Sequence, residues 1–170
     1  NASVPDTLSK NGDAYNGYLR YNAVSQNNKL LSLVFINNEA HLATASPNEE
    51  PFSFSSITSM NQAFDHPSVS GLCWSSDEEY VYATVGGKKK GLYQLSVNNS
   101  NIELLIPFCD TKRYESISAS SDGKYLIGER IDSYLQLDEQ SNPTGAIIQN
   151  SSIHLIDLHT LQEPKIEWEP

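Results

Sequence analysis

Short apolar runs alternate with polar turns along the chain, and the turns recur at intervals of roughly eight to twelve residues. In the middle of the chain a first strand ends at Trp74, and further strands are predicted at Tyr80–Val85, Leu92–Val97 and Ile102–Ile106. Glycine, asparagine and aspartate fill the turns between them, which is typical of tight hairpins. Because no segment shows the 3.6-residue period of an amphipathic helix, the pattern predicts an antiparallel meander of four strands.

The meander is one copy of a repeated unit. The segment Ser75–Tyr82 (SSDEEYVY) aligns with Ser120–Ile127 (SSDGKYLI) 45 residues later, and a looser copy at Ser25–Leu31 lies 50 residues earlier. In the last unit, the third strand is predicted at Ile153–Asp157 and the fourth at Lys165–Trp168. Units of this length, each a four-stranded meander, indicate an array of β-blades.

The repeat divides the chain into a short leader and three blades. Residues 1–16 start with Asn1 instead of methionine and are interpreted as an N-terminal scar or linker. The remainder, residues 17–170, is predicted to hold three blades, at approximately 17–58, 70–107 and 115–169.

Two all-β architectures fit a repeated meander, a β-propeller and a β-sandwich whose hairpins look alike. The runs Leu30–Ile36 and Tyr80–Val85 are apolar on both faces, as required of a sheet packed between two other sheets. We therefore predict an all-β fold of about three four-stranded antiparallel meander blades of a β-propeller. Three blades do not close a ring. We expect a partial propeller, or half of a ring completed by dimerisation through the open blade faces.

The repeat residues Asp77, Asp122 and Gly123 are predicted to be structural. Each aspartate can accept backbone N–H groups across its turn, and Gly123 relieves any requirement for a positive φ. A catalytic role for the two carboxylates as a pair is disfavoured, because equivalent positions in successive blades are separated by a whole sheet.

A long insertion at residues 131–150 separates the second and third strands of the last blade. Loops at this position lie on one face of a propeller, so the insertion is expected to share a face with the basic Gly86–Gly91 turn of the preceding blade. Long loops often carry function. The predicted interaction surface consists of Lys88, Lys89, Lys90, Asp132, Tyr134, Asp138 and Glu139. The alternative is a decorated loop without a ligand.

Charge and motif content disfavour several functions. A net charge of −10 disfavours binding to nucleic acid or to an anionic membrane, because phosphates are neutralised by lysine and arginine. No apolar run approaches the ~20 residues of a membrane helix. The Gly86–Gly91 turn lacks the spacing of a phosphate-binding loop, and the sequence has no Gly-x-Ser-x-Gly nucleophile elbow.

Histidine and cysteine spacing indicates no metal site. His154 and His159 point to opposite faces of an extended strand, so they are expected to be solvated at a strand edge. Cys73 and Cys109 lack CxxC spacing and are expected at opposite faces of a blade, with a disulfide as the less favoured alternative. We predict no metal, no cofactor and no catalytic residue, so the chain is expected not to be an enzyme.

The motifs Trp74-Ser75-Ser76-Asp77 and Ser120–Leu126, together with the later strand Ile153–Leu158, resemble the TolB-like, WD40-like β-propeller repeat. In that repeat an aromatic residue precedes Ser-Pro-Asp-Gly-Lys and a short apolar strand, and a later strand ends in Asp-Leu. Serine replaces the proline in both copies here. The resemblance covers most of residues 20–168 and implies a propeller fold.

The resemblance implies three functional classes. They are the periplasmic sensory part of a membrane-anchored, ToxR/CadC-like transcription activator, a TolB-type envelope scaffold, and an enzyme whose propeller accompanies a peptidase domain or carries lyase chemistry. We predict the first, a non-catalytic sensing and protein-interaction domain in the periplasm. Its expected partner is another protein or a second copy; it makes no direct contact with nucleic acid, and it meets the membrane only through a segment outside this chain.

Overall fold

The computed structural model describes the chain at residues 8–10, 13–15, 20–36, 39–46, 55–65, 67–99 and 101–167. Its elements are strands apart from one short helix, α1 (Met60–Phe64). Two short strands, β1 (Leu8–Lys10) and β2 (Asp13–Tyr15), pair as an antiparallel hairpin inside the segment interpreted as a scar or linker. Within the described ranges, no helix has both the length and the apolar character needed to cross a membrane.

Three antiparallel sheets follow one another, each with its strands in chain order. The first contains β3 (Arg20–Val24), β4 (Leu30–Ile36), β5 (Glu39–Ala45) and β6 (Ser55–Ser59). The second contains β7 (Ser68–Trp74), β8 (Tyr80–Gly86), β9 (Gly91–Ser96) and β10 (Ile102–Pro107). The third contains β11 (Lys112–Ala119), β12 (Tyr125–Leu137) and β13 (Pro143–Asp157). The predicted all-β fold of antiparallel meander blades is confirmed.

In the third sheet, the fourth strand predicted at Lys165–Trp168 is reduced to a single bridge. Lys165 bridges His154, and the Ile166 N–H donates to the Ile153 carbonyl at 2.8 Å. Trp168 lies outside the described residues. The segment that follows β13 therefore folds back and lies against β13 at Ile153 and His154.

Two apolar cores hold the three sheets together, one on each side of the second sheet. Strand β8 serves both, because Val81 and Val85 enter the first core whereas Tyr82 enters the second. The first core also contains Trp74, and the second is completed from the third sheet by Leu126. Burial of both faces is the physical reason for the two-sided apolar pattern of β8.

The first strands of the sheets lie side by side, β7 in contact with both β3 and β11. The Ser70 hydroxyl on β7 donates to the Tyr114 carbonyl on β11 at 3.2 Å. Gly71 permits this approach, because a Cβ at that position would lie 2.5 Å from the Glu115 carbonyl oxygen. Sheets that meet through their first strands are the arrangement found around the axis of a propeller.

The insertion at residues 131–150 is a hairpin and not a loop, which corrects the sequence interpretation. It prolongs β12 and β13, with Tyr134 paired to Ile148 and Leu135 paired to Ile147. Strand β11 accompanies β12 only as far as Asp132, so residues 133–149 project as a two-stranded ribbon, which we call the arm. Aromatic and branched side chains in the insertion favour the strand conformation.

Helix α1, which joins the first two blades, was not predicted because five residues are too few to show a helical period. The Ser59 hydroxyl accepts the Gln62 N–H at 3.4 Å, and Asp65 ends the helix with a φ of 58°. Met60 and Phe64, one turn apart, are both buried in the first core. The helix is stabilised by this packing and not by its length.

Candidate functional site

The repeated turns place Asp77 and Asp122 in equivalent positions. Oδ1 of Asp77 accepts the Glu79 N–H at 3.0 Å, and Oδ1 of Asp122 accepts the Lys124 N–H at 3.1 Å. The pKa of each carboxyl group is lowered, and the largest cause is the hydrogen bond from the serine hydroxyl two residues earlier. Each carboxylate thus acts within its own turn.

The same turns connect successive blades. Glu78, with a φ of 61°, accepts the Asn27 N–H at 3.0 Å and forms an ion pair with the Lys29 ammonium at 3.0 Å. Gly123 has a φ of 72° at the equivalent place in the third blade, and a Cβ on it would lie 2.6 Å from the Ser76 hydroxyl oxygen. Each turn therefore contacts the blade that precedes it in the chain.

A cleft of about 300 Å³ opens where the ends of β3, β7 and β11 meet these turns. We call it the axial cleft. Trp74, Ser76, Ser118 and Ser121 are among its lining residues. Trp74 is 6% exposed, and its indole N–H has no hydrogen-bond partner within the described part of the chain.

The three lysines of the predicted interaction surface are held by neighbouring groups. Lys88 forms an ion pair with Asp65 at 2.6 Å, Lys90 forms one with Asp110, and Lys89 donates to a backbone carbonyl of α1 at 2.9 Å. Among the residues that the structure describes, no hydrogen bond or ion pair joins this turn to the insertion. The two halves of the predicted surface are therefore not brought into direct contact.

The four predicted residues of the insertion separate into a base and a tip. At the base, Oδ1 of Asp132 accepts a hydrogen bond from the Arg130 guanidinium, with 2.7 Å between Oδ1 and Nη2. The Asn150 amide nitrogen donates a hydrogen bond to the Tyr134 hydroxyl. At the tip, Asp138 accepts the N–H groups of the turn that joins the two strands, and its pKa is lowered by those hydrogen bonds. Glu139, next to it, is exposed.

The arm carries apolar side chains into solvent. Leu135 is 55% exposed, Leu137 is 54% exposed and Ile147 is 67% exposed. Apolar residues exposed together on a projecting ribbon differ from the isolated exposed leucines of an ordinary surface.

A second and larger cleft, of about 660 Å³, lies at the base of the arm. We call it the arm-root cleft. Its lining residues all belong to the third blade and are Arg130, Asp132, Tyr134, Gln149, Asn150, Ser151, Ser152, His154 and Lys165. Lys165 has no ion-pair partner among the described residues. Two cations and one carboxylate give this cleft a net positive lining in a chain of net charge −10.

His154 is buried beneath the arm-root cleft. The prediction that it is a solvated residue at a strand edge is therefore wrong. The residue is only 6% exposed because the chain returns after β13 and covers it. Its Nδ1 lies 2.8 Å from the Glu163 carbonyl oxygen, which can only accept, so Nδ1 carries the proton. In the neutral ring, Nε2 then accepts the Ser152 hydroxyl at 3.0 Å.

Glu163 also fixes the returning segment to the first strand of the blade. Its carboxylate accepts the Tyr114 hydroxyl at 2.6 Å and the Lys112 ammonium at 2.8 Å. Burial, followed by the hydrogen bond to Glu163, raises the pKa of Tyr114, so this hydroxyl remains a donor at neutral pH. No sequence pattern indicated this cluster, because Glu163 reaches it only after a turn in the chain.

The described residues contain no group of three histidine, cysteine or carboxylate side chains placed to hold a metal ion. Cys73 is buried and Cys109 is exposed, and both thiols are free. Burial raises the pKa of Cys73 to about 12, so that its thiol stays protonated.

Solved structures with this arrangement of sheets are propeller-fold proteins. An oligogalacturonate lyase from Vibrio parahaemolyticus matches with a TM-score of 0.59 and 15% identity, over 90% of this chain and 40% of that one. An oligogalacturonate lyase in complex with manganese matches with a TM-score of 0.58 and 13% identity, over 89% of this chain and 40% of that one. The chain thus has the fold of a β-propeller segment.

A third match is a peptidase. Acylaminoacyl peptidase from Pyrococcus horikoshii matches with a TM-score of 0.55 and 11% identity, over 86% of this chain and 24% of that one. No protein-family model matches the chain, and no curated protein sequence matches it. This chain therefore spans two fifths of the lyases and a quarter of the peptidase that it resembles.

These comparisons contradict the prediction that the chain is not an enzyme, because the solved structures that share its fold include a lyase and a peptidase. The prediction rested on the lack of a nucleophile elbow and of a histidine cluster. The lyase and the peptidase are much longer, since this chain spans 40% or less of each. Their catalytic residues can therefore lie outside the segment that they share with this chain. The comparisons support a propeller but give no support to a TolB-type scaffold, an activator or a sensor. The periplasmic location and the partners remain predictions.

Proposed function

We propose that this chain forms three blades of the β-propeller of an enzyme, and that the enzyme is a lyase acting on a carboxylated saccharide. The observation that carries the proposal is the match of 90% of the chain to an oligogalacturonate lyase. Oligogalacturonate is a chain of sugar rings that each bear a carboxylate and several hydroxyl groups.

The arm-root cleft has the chemistry to contact such a substrate. Lys165 lines the cleft and forms no ion pair with any of the described residues, and Arg130, which is paired with Asp132, is a second cation of the lining. Hydroxyl and amide groups suited to sugar hydroxyls come from Ser152 and Asn150, and Tyr134, 43% exposed, offers an aromatic face. A net positive lining favours a carboxylate over a neutral group.

The match to acylaminoacyl peptidase supports a second candidate, the propeller of a peptidase. The two candidates are separated by assaying the full protein that contains this chain on oligogalacturonate and on an acylaminoacyl p-nitroanilide. Lyase activity appears as the ultraviolet absorbance of an unsaturated uronate, and peptidase activity as released nitroaniline. Lack of activity on both substrates would overturn the enzyme proposal.

The cleft is tested by replacing its unpaired cation. For a lyase, Lys165→Gln is expected to raise KM for oligogalacturonate by about tenfold, the effect of losing one charge-assisted contact. Lys124→Gln is the matched control, because Lys124 is an exposed lysine of the same blade outside the cleft. Equal KM values in the two variants would exclude the arm-root cleft as the substrate contact.

A further inference from the structure

His154 has a hydrogen-bond partner on each ring nitrogen, and one of these partners lines the arm-root cleft. Its Nδ1–H donates to the Glu163 carbonyl at 2.8 Å, and its Nε2 accepts the Ser152 hydroxyl at 3.0 Å. Ser152 is partly exposed and lines the cleft, whereas the His154 ring is buried. Ser152 is therefore the group through which the protonation state of the buried ring acts on a ligand in the cleft.

The Ser152 hydroxyl can only accept toward the cleft while the His154 ring is neutral. Its single hydrogen is donated to Nε2, so the oxygen has no hydrogen left for a ligand. A doubly protonated ring donates from Nε2 to the Ser152 oxygen instead, and the serine hydrogen is then free to point into the cleft. Proton uptake by His154 thus changes Ser152 from an acceptor into a donor.

The surroundings of His154 accommodate a charged ring. The Glu163 carbonyl and the Ser152 oxygen provide one acceptor for each N–H of the imidazolium, so burial leaves neither N–H unpaired. The charged groups nearby come from β11, from β12 and from the segment that returns after β13, and most of them are paired with one another. They are Lys112 with Glu163 at 2.8 Å, Arg130 with Asp132 at 2.7 Å, and Lys165, which bridges His154 through its backbone; the neutral Tyr114 ring lies edge-on to the imidazole at 6.2 Å between centroids.

Lys165 couples a ligand to the proton. It forms no ion pair with any of the described residues, and its charge opposes a second positive charge on the neighbouring His154 ring. A carboxylate bound in the cleft neutralises Lys165 and removes this opposition. By linkage, a carboxylate that favours proton uptake is itself bound more tightly by the protonated form.

We propose that His154 and Ser152 form a proton-controlled specificity pair, which makes the arm-root cleft bind a carboxylate more tightly when the ring is protonated. The inference rests on the proposed function, which supplies the ligand class, a sugar carboxylate. The protonated ring adds a positive charge beneath the cleft, and Ser152 becomes a donor. A carboxylate can use that donor because it is an acceptor only.

The test is the binding of D-galacturonate, which has no glycosidic bond to cleave, to the full protein that contains this chain. Isothermal titration calorimetry measures the dissociation constant between about pH 8 and about pH 5.5, the range in which histidine ordinarily changes its charge and a sugar carboxylate stays ionised. We expect the dissociation constant to fall about fivefold to tenfold as the pH is lowered, the effect of one charge-assisted contact. Proton uptake should accompany binding.

Two variants separate the charge from the hydroxyl. His154→Asn keeps a donor for the Glu163 carbonyl and removes the nitrogen that titrates, so its affinity is expected to change by less than about twofold over the same range. Ser152→Ala keeps the titrating ring and loses the hydroxyl, so its pH effect should be smaller than that of the unmodified protein. His159→Asn is the matched control, since His159 is an exposed histidine of the same blade that does not line the cleft.

The outcomes distinguish this inference from the lyase proposal. Equal pH dependence in His154→Asn and His159→Asn, an unchanged pH effect in Ser152→Ala, or no galacturonate binding at any pH would each overturn the specificity pair. Lyase activity is measured separately, through the unsaturated uronate. Activity without the pH-dependent binding would overturn this inference alone, and the binding without activity would overturn the lyase proposal alone.

Discussion

Three residues at the same place in three successive turns have a positive φ, and only one of them is glycine. Asn28 has a φ of 62°, Glu78 of 61° and Gly123 of 72°. Asparagine tolerates this conformation, whereas glutamate is strained in it. Contacts with the first blade hold Glu78 there. At Gly123 the close approach of Ser76 leaves no ready space for a side chain.

Replacement of Gly123 by alanine is expected to lower the free energy of unfolding by about 1 to 2 kcal/mol from the backbone conformation alone. A further loss follows because the Ser76 hydroxyl must move. The measurement is urea denaturation followed by circular dichroism.

Gly145→Ala is the control for the Gly123 variant. Gly145 has a φ of 82°, but nothing lies within 4 Å of the place where its Cβ would stand. The Gly145→Ala variant therefore measures only the free-energy cost of placing alanine at a positive φ. Equal losses in the two variants would show that the contact with Ser76 has no energetic cost.

At the scale of the element, the hairpin of β12 and β13 changes character along its length. At its root, Leu126 and Ile156 are fully buried in the second core. In the arm, Leu135 and Ile147 are paired across the same two strands but lie mostly in solvent. One pair of strands thus belongs partly to the core and partly to a projecting ribbon.

Leucine-to-alanine changes at the two places on β12 should therefore differ. Leu126→Ala is expected to destabilise the protein by about 2 to 5 kcal/mol, because it leaves a cavity between two sheets. Leu135→Ala is expected to change the free energy of unfolding by less than about 0.5 kcal/mol. Chemical denaturation of both variants measures the difference, and a large loss in Leu135→Ala would mean that the arm packs against another part of the protein.

Much of the strand pattern was predictable from the sequence, for local reasons. Strand β4 has the predicted bounds Leu30–Ile36, and β8 extends the predicted Tyr80–Val85 by one residue. Both are apolar runs between turn residues, so neighbouring positions are enough to define them. The arm was missed because its polar and proline residues resemble a loop, and its pairing becomes apparent only from the register of β12 with β13.

The candidate sites were less predictable, because they depend on residues distant in sequence. His154 is buried by a segment that returns to it about nine residues later, through the Glu163 carbonyl. The axial cleft combines turns that are 45 to 50 residues apart. No motif indicates that the Trp74 N–H is without a partner among the described residues, since this depends on how the first two blades pack.

At the scale of the whole molecule, Glu78 links the first two blades, and its ionisation is coupled to folding. Burial by itself would raise the pKa of Glu78, but hydrogen bonds from Ser25, Lys29 and Asn27, together with the charge of Lys29, lower it to about 2. The ordinary value is 4.5. Stability from this carboxylate is therefore fully present above pH 4.5 and is lost as the pH falls toward 2.

The free energy of unfolding should accordingly decrease less steeply between about pH 5 and about pH 2 in Glu78→Gln than in the unmodified chain. Glu103→Gln serves as the control, because Glu103 is exposed on β10 and forms no ion pair among the described residues. Urea titrations at a series of pH values give the slopes. If the two variants have the same acid dependence, the contact between blades does not contribute to it.

That a partner or further blades complete the ring remains a prediction. The sequence suggests two possibilities, further blades of a longer protein or a second copy of this chain. The mass of the 170-residue chain, measured by sedimentation, distinguishes them. If two copies pair through the open blade faces, the measured mass is twice that of the monomer. A soluble monomer would exclude a ring made of two copies.

The contact of each turn with the preceding blade restricts how such an array could grow by gene duplication. A tandem copy of the second blade would bring its own Glu78 against Ser76 of the original, where even a Cβ would lie about 2.6 Å from the hydroxyl oxygen. The copied glutamate would also lose Asn27 and Lys29 as partners. A new blade would therefore have to change at this position before it fitted against the blade that precedes it.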